Sequence, residues 1–128
     1  MEKNFSLSFD KKMVKQLRKA IRNKEVMDIL KGLLDDLEEF GLKNAKLLDN
    51  TLWLYELKYH RPPIRLYVIP VVGTTEIYVL EFEMKTNEKK QKMTLDRLRV
   101  YVRWLKSQIF SRVFLLFDVF FEFYKSFS

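Results

Sequence analysis

Cysteine is absent from the 128 residues, which removes disulfides, thiolate metal sites and a cysteine nucleophile together. Histidine occurs once, as His60, and one imidazole without any thiol leaves no zinc constellation. Glycine and proline number three each, too few for long flexible linkers, and the isolated glycines form no loop able to cradle a phosphate. The opening stretch, MEKNFSLSFDKK, lacks the apolar core and cleavage-like site of a secretory signal. No Ser-His-acid arrangement is legible. The expectation is a cytoplasmic protein with one real core and no cofactor.

What is present is charge, unevenly distributed. Charged residues make up 32% of the chain, hydrophobic residues 48%, and the net charge is +7. From Lys85 to Lys106 eight Lys and Arg residues face only Glu88 and Asp96, whereas Asp35 to Glu39 holds four acids and no base. A basic pole of this kind suits a polyanion such as RNA. The competing reading is an ordinary solvated basic helix.

Periodicity supplies the elements. Phe5, Leu7 and Phe9 alternate with Asn4, Ser6 and Ser8 as in a half-buried strand. Asp10 is a plausible N-cap, after which Val14, Leu17 and Ile21 fall at helical spacing. A second helix is predicted from about Lys24 to Phe40, with Val26, Leu30, Leu33 and Leu37 on one stripe and Gly41 placed to end it. Three strands are predicted next: Leu52 to Tyr59, broken by Pro62-Pro63; Ile64 to Val72, turned by Gly73; and Ile77 to Met84. Their short connections imply an antiparallel meander. Thr86 to Met93 reads as a loop, and Thr94 as the cap of a helix carrying Leu95, Leu98, Val102 and Leu105. The expected fold class is α+β, in the order β-α-α-β-β-β-α. It has an antiparallel sheet with a helical hairpin on one face, followed by an apolar C-terminal helix.

That last segment, 107–128, stands apart from residues 1–106. It holds seven of the eleven phenylalanines and has no net charge. Asp118, Glu122 and Lys125 give a helix there one narrow polar stripe. Packing against the body or a second copy, making homo-oligomers, is the leading expectation. Interfacial membrane contact is the next, and a spanning helix the third, since a central Asp costs about 2.5–3.5 kcal/mol in a bilayer.

Three short runs are distinctive in their order. Leu54-Tyr55-Glu56-Leu57-Lys58 is similar to the L-W-E-L-R strand of the RelE/HigB/ParE toxin superfamily. Ile64-Arg65-Leu66-Tyr67-Val68-Ile69 resembles its Y-R-V-L-Y strand, whose arginine works in the active site. Phe82-Glu83-Met84-Lys85-Thr86 resembles the F-x-K-K-T ending of its fourth strand, although Met84 replaces a frequent Lys. The resemblance spans roughly residues 4–106 and points to the phage-derived, HigB-like branch. It implies a type II toxin of a toxin–antitoxin system, a metal-independent mRNA endoribonuclease acting on free or ribosome-bound transcripts and restrained by a cognate antitoxin.

Strand alternation places Trp53, Tyr55 and Leu57, then Ile64, Leu66 and Val68, then Tyr78, Leu80, Phe82 and Met84, under the helices. The opposite face collects Glu56, Lys58, His60, Arg65, Tyr67, Glu81, Glu83 and Lys85. That face is a wall for a substrate cleft, or else a solvated sheet face laced with cross-strand ion pairs. RNA cleavage by the ribose 2′-hydroxyl needs a base, an acid and cations at the phosphate. Arg65 is the expected phosphate clamp because a guanidinium can hold two oxygens in one plane. Lys58 and Lys85 add positive charge. His60 is a proton-transfer candidate, since imidazole exchanges protons near neutral pH, and Glu56 is a candidate base. Arg61, Tyr67, Lys89, Lys90, Lys92 and Arg97, with Arg99 and Arg103, are expected along the RNA, mostly as backbone contacts. The rivals are a ParE-like inhibitor of DNA gyrase and a non-enzymatic phage-type adaptor working through its apolar tail.

Overall fold

The computed structural model describes residues 3–84 and 87–125, with residues 109–125 described as backbone only. Five strands and three helices follow in the order β1 (Ser6–Phe9), α1 (Lys11–Ala20), α2 (Lys24–Phe40), β2 (Lys46–Asp49), β3 (Leu54–His60), β4 (Pro63–Pro70), β5 (Glu76–Met84) and α3 (Glu88–Lys125). The fold is α+β. The strands form one mixed sheet ordered β1-β5-β4-β3-β2. The chain divides into two units, Met1–Asn87 and Glu88–Ser128.

In the first unit each helix begins where a side chain can serve the orphan amides of its first turn. Asp10 accepts from the Lys12 amide at 2.9 Å, and Asn23 from the Val26 amide at 3.2 Å. Met13 and Ala20 of α1 and Leu30 and Leu37 of α2 are buried in one core cluster with Leu57, Ile64, Leu66, Val68, Ile77, Val79 and Phe82 of the sheet. The predicted stripe of α2 therefore faces the sheet, and the predicted ends of that helix coincide with the observed ones.

Gly41 ends α2 with φ +62° and ψ −131°, a combination that side chains other than hydrogen rarely tolerate. A Cβ there would also lie 2.6 Å from the Phe5 ring. Backbone strain and steric overlap add, so Gly41→Ala is expected to destabilise the fold by about 2–4 kcal/mol. A denaturant titration checks this: a midpoint equal to wild type would mean that neither the strain nor the overlap is real.

Within this unit four details differ from the expectations. An unforeseen edge strand, β2, precedes β3, and the turn between them is held by Asp49, whose carboxylate accepts from Thr51 N, Thr51 Oγ1 and Leu52 N. The sheet is not wholly antiparallel, because β1 runs parallel to β5; alternation reveals a strand's faces but not its neighbours. The predicted helix-side set also changes in β5. A bulge lets Val68 oppose Val79 while Tyr67 opposes Glu81, leaving Leu80 unpaired and resetting the alternation. Ile77 and Val79, not Tyr78 and Leu80, join the core cluster, together with Phe82 and Met84. Trp53 lies before β3 with φ +54° and is half-exposed, so it too leaves the predicted face.

In the second unit the helix starts at Glu88 rather than at Thr94. The run Glu88 to Met93 consists of good helix formers with an acid in the first turn, and Asn87 before it is a favoured capping type. Thr94 is thus interior to α3, where Thr94, Leu98 and Val102 form a buried stripe. No helix among the described residues is long and apolar enough to cross a membrane.

Candidate functional site

Register determines which polar side chains meet on the sheet face opposite the core cluster. Glu56 of β3 opposes Tyr67 of β4, which opposes Glu81 of β5. In the next row Lys58 opposes Arg65, which opposes Glu83. Six of the eight residues expected from alternation to share a face do so in these two rows. Their contacts run diagonally between the two rows, within reach of long side chains.

Arg65 Nη1 donates to both carboxylate oxygens of Glu56, each at 2.9 Å. Both residues are buried, Arg65 at 7% exposure and Glu56 at 3%. An ion pair this shielded is held together because separating it would strand a charge in low dielectric. The Nε of Arg65 is buried with no hydrogen-bond partner among the described residues, an orphan donor of the kind that costs about 1–3 kcal/mol. Lys58, directly across the strand, is exposed.

On the other diagonal the Tyr67 hydroxyl donates to Glu83 Oε1 at 2.5 Å. Tyr67 is fully buried. Burial first, then the hydrogen bond to Glu83 and the nearby carboxylates, hold its phenol pKa well above the ordinary range. The remaining acid, Glu81, receives Lys12 Nζ of α1 at 3.0 Å. Beside it, β1 stops pairing with β5 at Val79. There the Gln16 amide takes the place of a strand, donating to Phe82 O at 2.7 Å and accepting from Phe82 N at 3.0 Å. Neither role of α1 was read in the sequence; Gln16 and Lys12, two polar residues one helical turn apart on an otherwise patterned helix, were the available signal.

Because the unfolded chain releases the tyrosine proton near pH ~10 and the folded state holds it to higher pH, folding gains from Tyr67 below that pH. The gain is lost progressively as pH rises through the folded value. Wild type is expected to lose stability above pH ~10, and Tyr67→Phe to flatten that decline while costing about 0.5–1.5 kcal/mol at neutral pH by removing its hydrogen bond to Glu83. Denaturant midpoints between pH 8 and 11 check it; parallel slopes for both proteins would rule out the coupling.

The other expected site residues are dispersed. His60 ends β3 opposite Pro63, and Arg61 lies in the turn that follows; both are exposed. Lys89, Lys90, Lys92 and Arg97 are exposed on α3. Lys85 falls outside the described residues. Among the described residues no group of three His, Asp or Glu side chains is placed to hold a metal ion.

No protein-family model matches the chain, and no curated protein matches it. Solved structures do. The intact E. coli RelBE toxin–antitoxin complex contains a chain 22% identical, with TM-score 0.56, covering 65% of this protein and 99% of that chain. A doubly substituted E. coli RelE toxin in the free state aligns at 20% identity and TM-score 0.57, over 73% of this protein and 97% of that chain. The RelBE2 toxin–antitoxin complex of Mycobacterium tuberculosis gives 15% identity and TM-score 0.53, over 64% and 99%. Agreement of this kind, across nearly the whole length of each matched chain and at so little shared sequence, is agreement of backbone architecture: the protein has the RelE-type toxin fold.

Proposed function

We propose that this protein is the toxin of a toxin–antitoxin pair and cleaves mRNA in the cytoplasm without a metal. The fold supports the first half of that reading. The observation that carries the second is Arg65, whose buried Nε lacks an acceptor among the described residues while an exposed lysine, Lys58, sits opposite it. A phosphate oxygen there would satisfy the orphan donor. The guanidinium would then neutralise charge growing on the phosphate, with Lys58 and Lys85 assisting. The ribose 2′-oxygen attacks phosphorus and the bond to the 5′-oxygen breaks, giving a cyclic phosphate and a 5′-hydroxyl end. As Arg65 engages the phosphate, its hold on Glu56 weakens, and that carboxylate accepts the 2′-proton. His60, at the end of the same strand, returns a proton to the leaving oxygen. Tyr67, buried and tied to Glu83, positions the neighbouring strand. Arg61, Lys89, Lys90, Lys92 and Arg97 hold the RNA backbone.

A cognate antitoxin restrains the activity, and the apolar segment 107–128 brings copies of the chain together. Induction in bacteria followed by mapping of transcript ends tests the central claim. New 5′-hydroxyl ends within minutes of induction are expected, on free or ribosome-bound transcripts. Growth arrest with intact transcripts and relaxed plasmids would instead place the protein with gyrase inhibitors.

A further inference from the structure

The side of α3 that is turned to water is not wholly polar. Met93 and Val100 are each 65% exposed and Trp104 is 54% exposed. At 3.6 residues per turn the three fall on one narrow stripe, with Arg97 among them. Trp104 does not stand alone. The Tyr101 ring lies nearly parallel to it, with centroids 6.0 Å apart and 16° between the planes, as the one-turn spacing of the two residues allows. The surrounding charge is one-sided. From Glu88 to Lys106 seven Lys and Arg residues stand against Glu88 and Asp96, and Asp96 already accepts from Arg99 at 3.3 Å.

We propose that Trp104, backed by Tyr101, is a platform on which an unpaired base of single-stranded RNA stacks, while the exposed Arg97 and Arg103 meet the neighbouring phosphates. Every base has a π-face, so such a platform adds hold without reading sequence, whereas the cationic contacts assigned above grip only the backbone. The inference rests on RNA being the substrate and adds a base-binding residue to that reading. A bilayer is a poorer occupant, because Arg97 interrupts the stripe and leaves no wide apolar face to insert. A second copy meeting it stripe to stripe would set like charges against each other.

The test uses the full-length protein with Trp53→Phe, which leaves Trp104 as the sole indole. The probe is a labelled single-stranded RNA of about twelve nucleotides, 2′-O-methylated so that it carries no nucleophile and stays intact. Saturation is expected to quench the indole fluorescence by about half or more, as stacking on a base requires. By anisotropy, Trp104→Ala should weaken binding at least tenfold and Trp104→Phe by no more than about threefold. Because Trp104 is exposed, both variants should keep the circular dichroism spectrum and thermal midpoint of the parent. An abasic strand of equal length and charge should bind the parent at least tenfold more weakly, and should not distinguish it from Trp104→Ala. No binding of the RNA, binding without quenching, or a Trp104→Ala loss that is equal on the abasic strand would overturn the proposal. So would quenching by anionic phosphatidylserine vesicles that the RNA does not displace, or a solution mass twice the monomer that Trp104→Ala halves. Unchanged affinity in Trp104→Ala, with transcripts still cut on induction, would overturn the platform and leave the cleavage reading standing. Quenching with the expected losses, in a protein that leaves transcripts intact, would uphold the platform and sink the cleavage reading alone.

Discussion

Arg65→Ala is expected to abolish growth arrest and RNA cleavage, and at the same time to destabilise the fold by about 3–5 kcal/mol. The second effect follows from burial. Glu56 is 3% exposed, and once Arg65 is removed its carboxylate loses, in low dielectric, the guanidinium whose Nη1 met both of its oxygens. Loss of activity in this variant is therefore ambiguous alone, and Lys58→Ala supplies the comparison. Lys58 is exposed and opposes Arg65 across the strand, so its removal should leave the thermal midpoint unchanged. Losing one preorganised cation from the developing charge costs about 10²–10³ in rate where the site is shielded; cleavage by Lys58→Ala should fall toward the lower end of that range, since this lysine is open to solvent. Cleavage assayed in vitro beside a thermal melt separates the two terms. Full activity in both variants would detach the chemistry from this face.

How much of this could be read in advance varied with the physical signal. α2 was legible because two independent cues agreed, an apolar stripe at helical spacing and a glycine placed to end it; the Asn23 cap that starts it was not read. β2 was not, because Lys46–Asp49 is four residues long and sits at a sheet edge. So short a segment holds too few residues to show a period of two. The bulge at Leu80 is invisible for a related reason. A run of apolar residues such as Ile77 to Leu80 looks the same whether or not the alternation slips by one, and only the register against β4 reveals it.

The candidate site divides along the same line. Membership of the polar face was readable from alternation, so Glu56, Lys58, Arg65, Tyr67, Glu81 and Glu83 were grouped correctly. Their partners were not readable, because pairing depends on cross-strand register and on helix placement. Arg65 looked like an unengaged clamp until the diagonal to Glu56 became visible, and Tyr67 looked like an RNA contact until its burial and its bond to Glu83 were seen. The sequence assigns residue types to a face; the offsets between strands decide which charges are already spoken for.

That distinction yields the second large effect. If the Glu56–Arg65 pair were kept for stability, replacing both members with apolar residues of similar size should be costly. Buried ion pairs are poor stabilisers, because desolvation of both charges offsets their attraction. Glu56→Leu combined with Arg65→Met is expected to lie within about 2 kcal/mol of wild type in stability, whereas each single replacement loses about 3–5 kcal/mol by stranding a charge. The coupling between the two positions, obtained from the four denaturation curves of the cycle, should then be at least about 3 kcal/mol. The doubly substituted protein, although folded, should neither arrest growth nor cut RNA. Stability near that of wild type together with complete loss of function would show that the pair is retained for what Arg65 does to an incoming phosphate. A doubly substituted protein as unstable as either single variant would instead place the pair among the supports of the fold, and a catalytic arginine would have to be sought elsewhere.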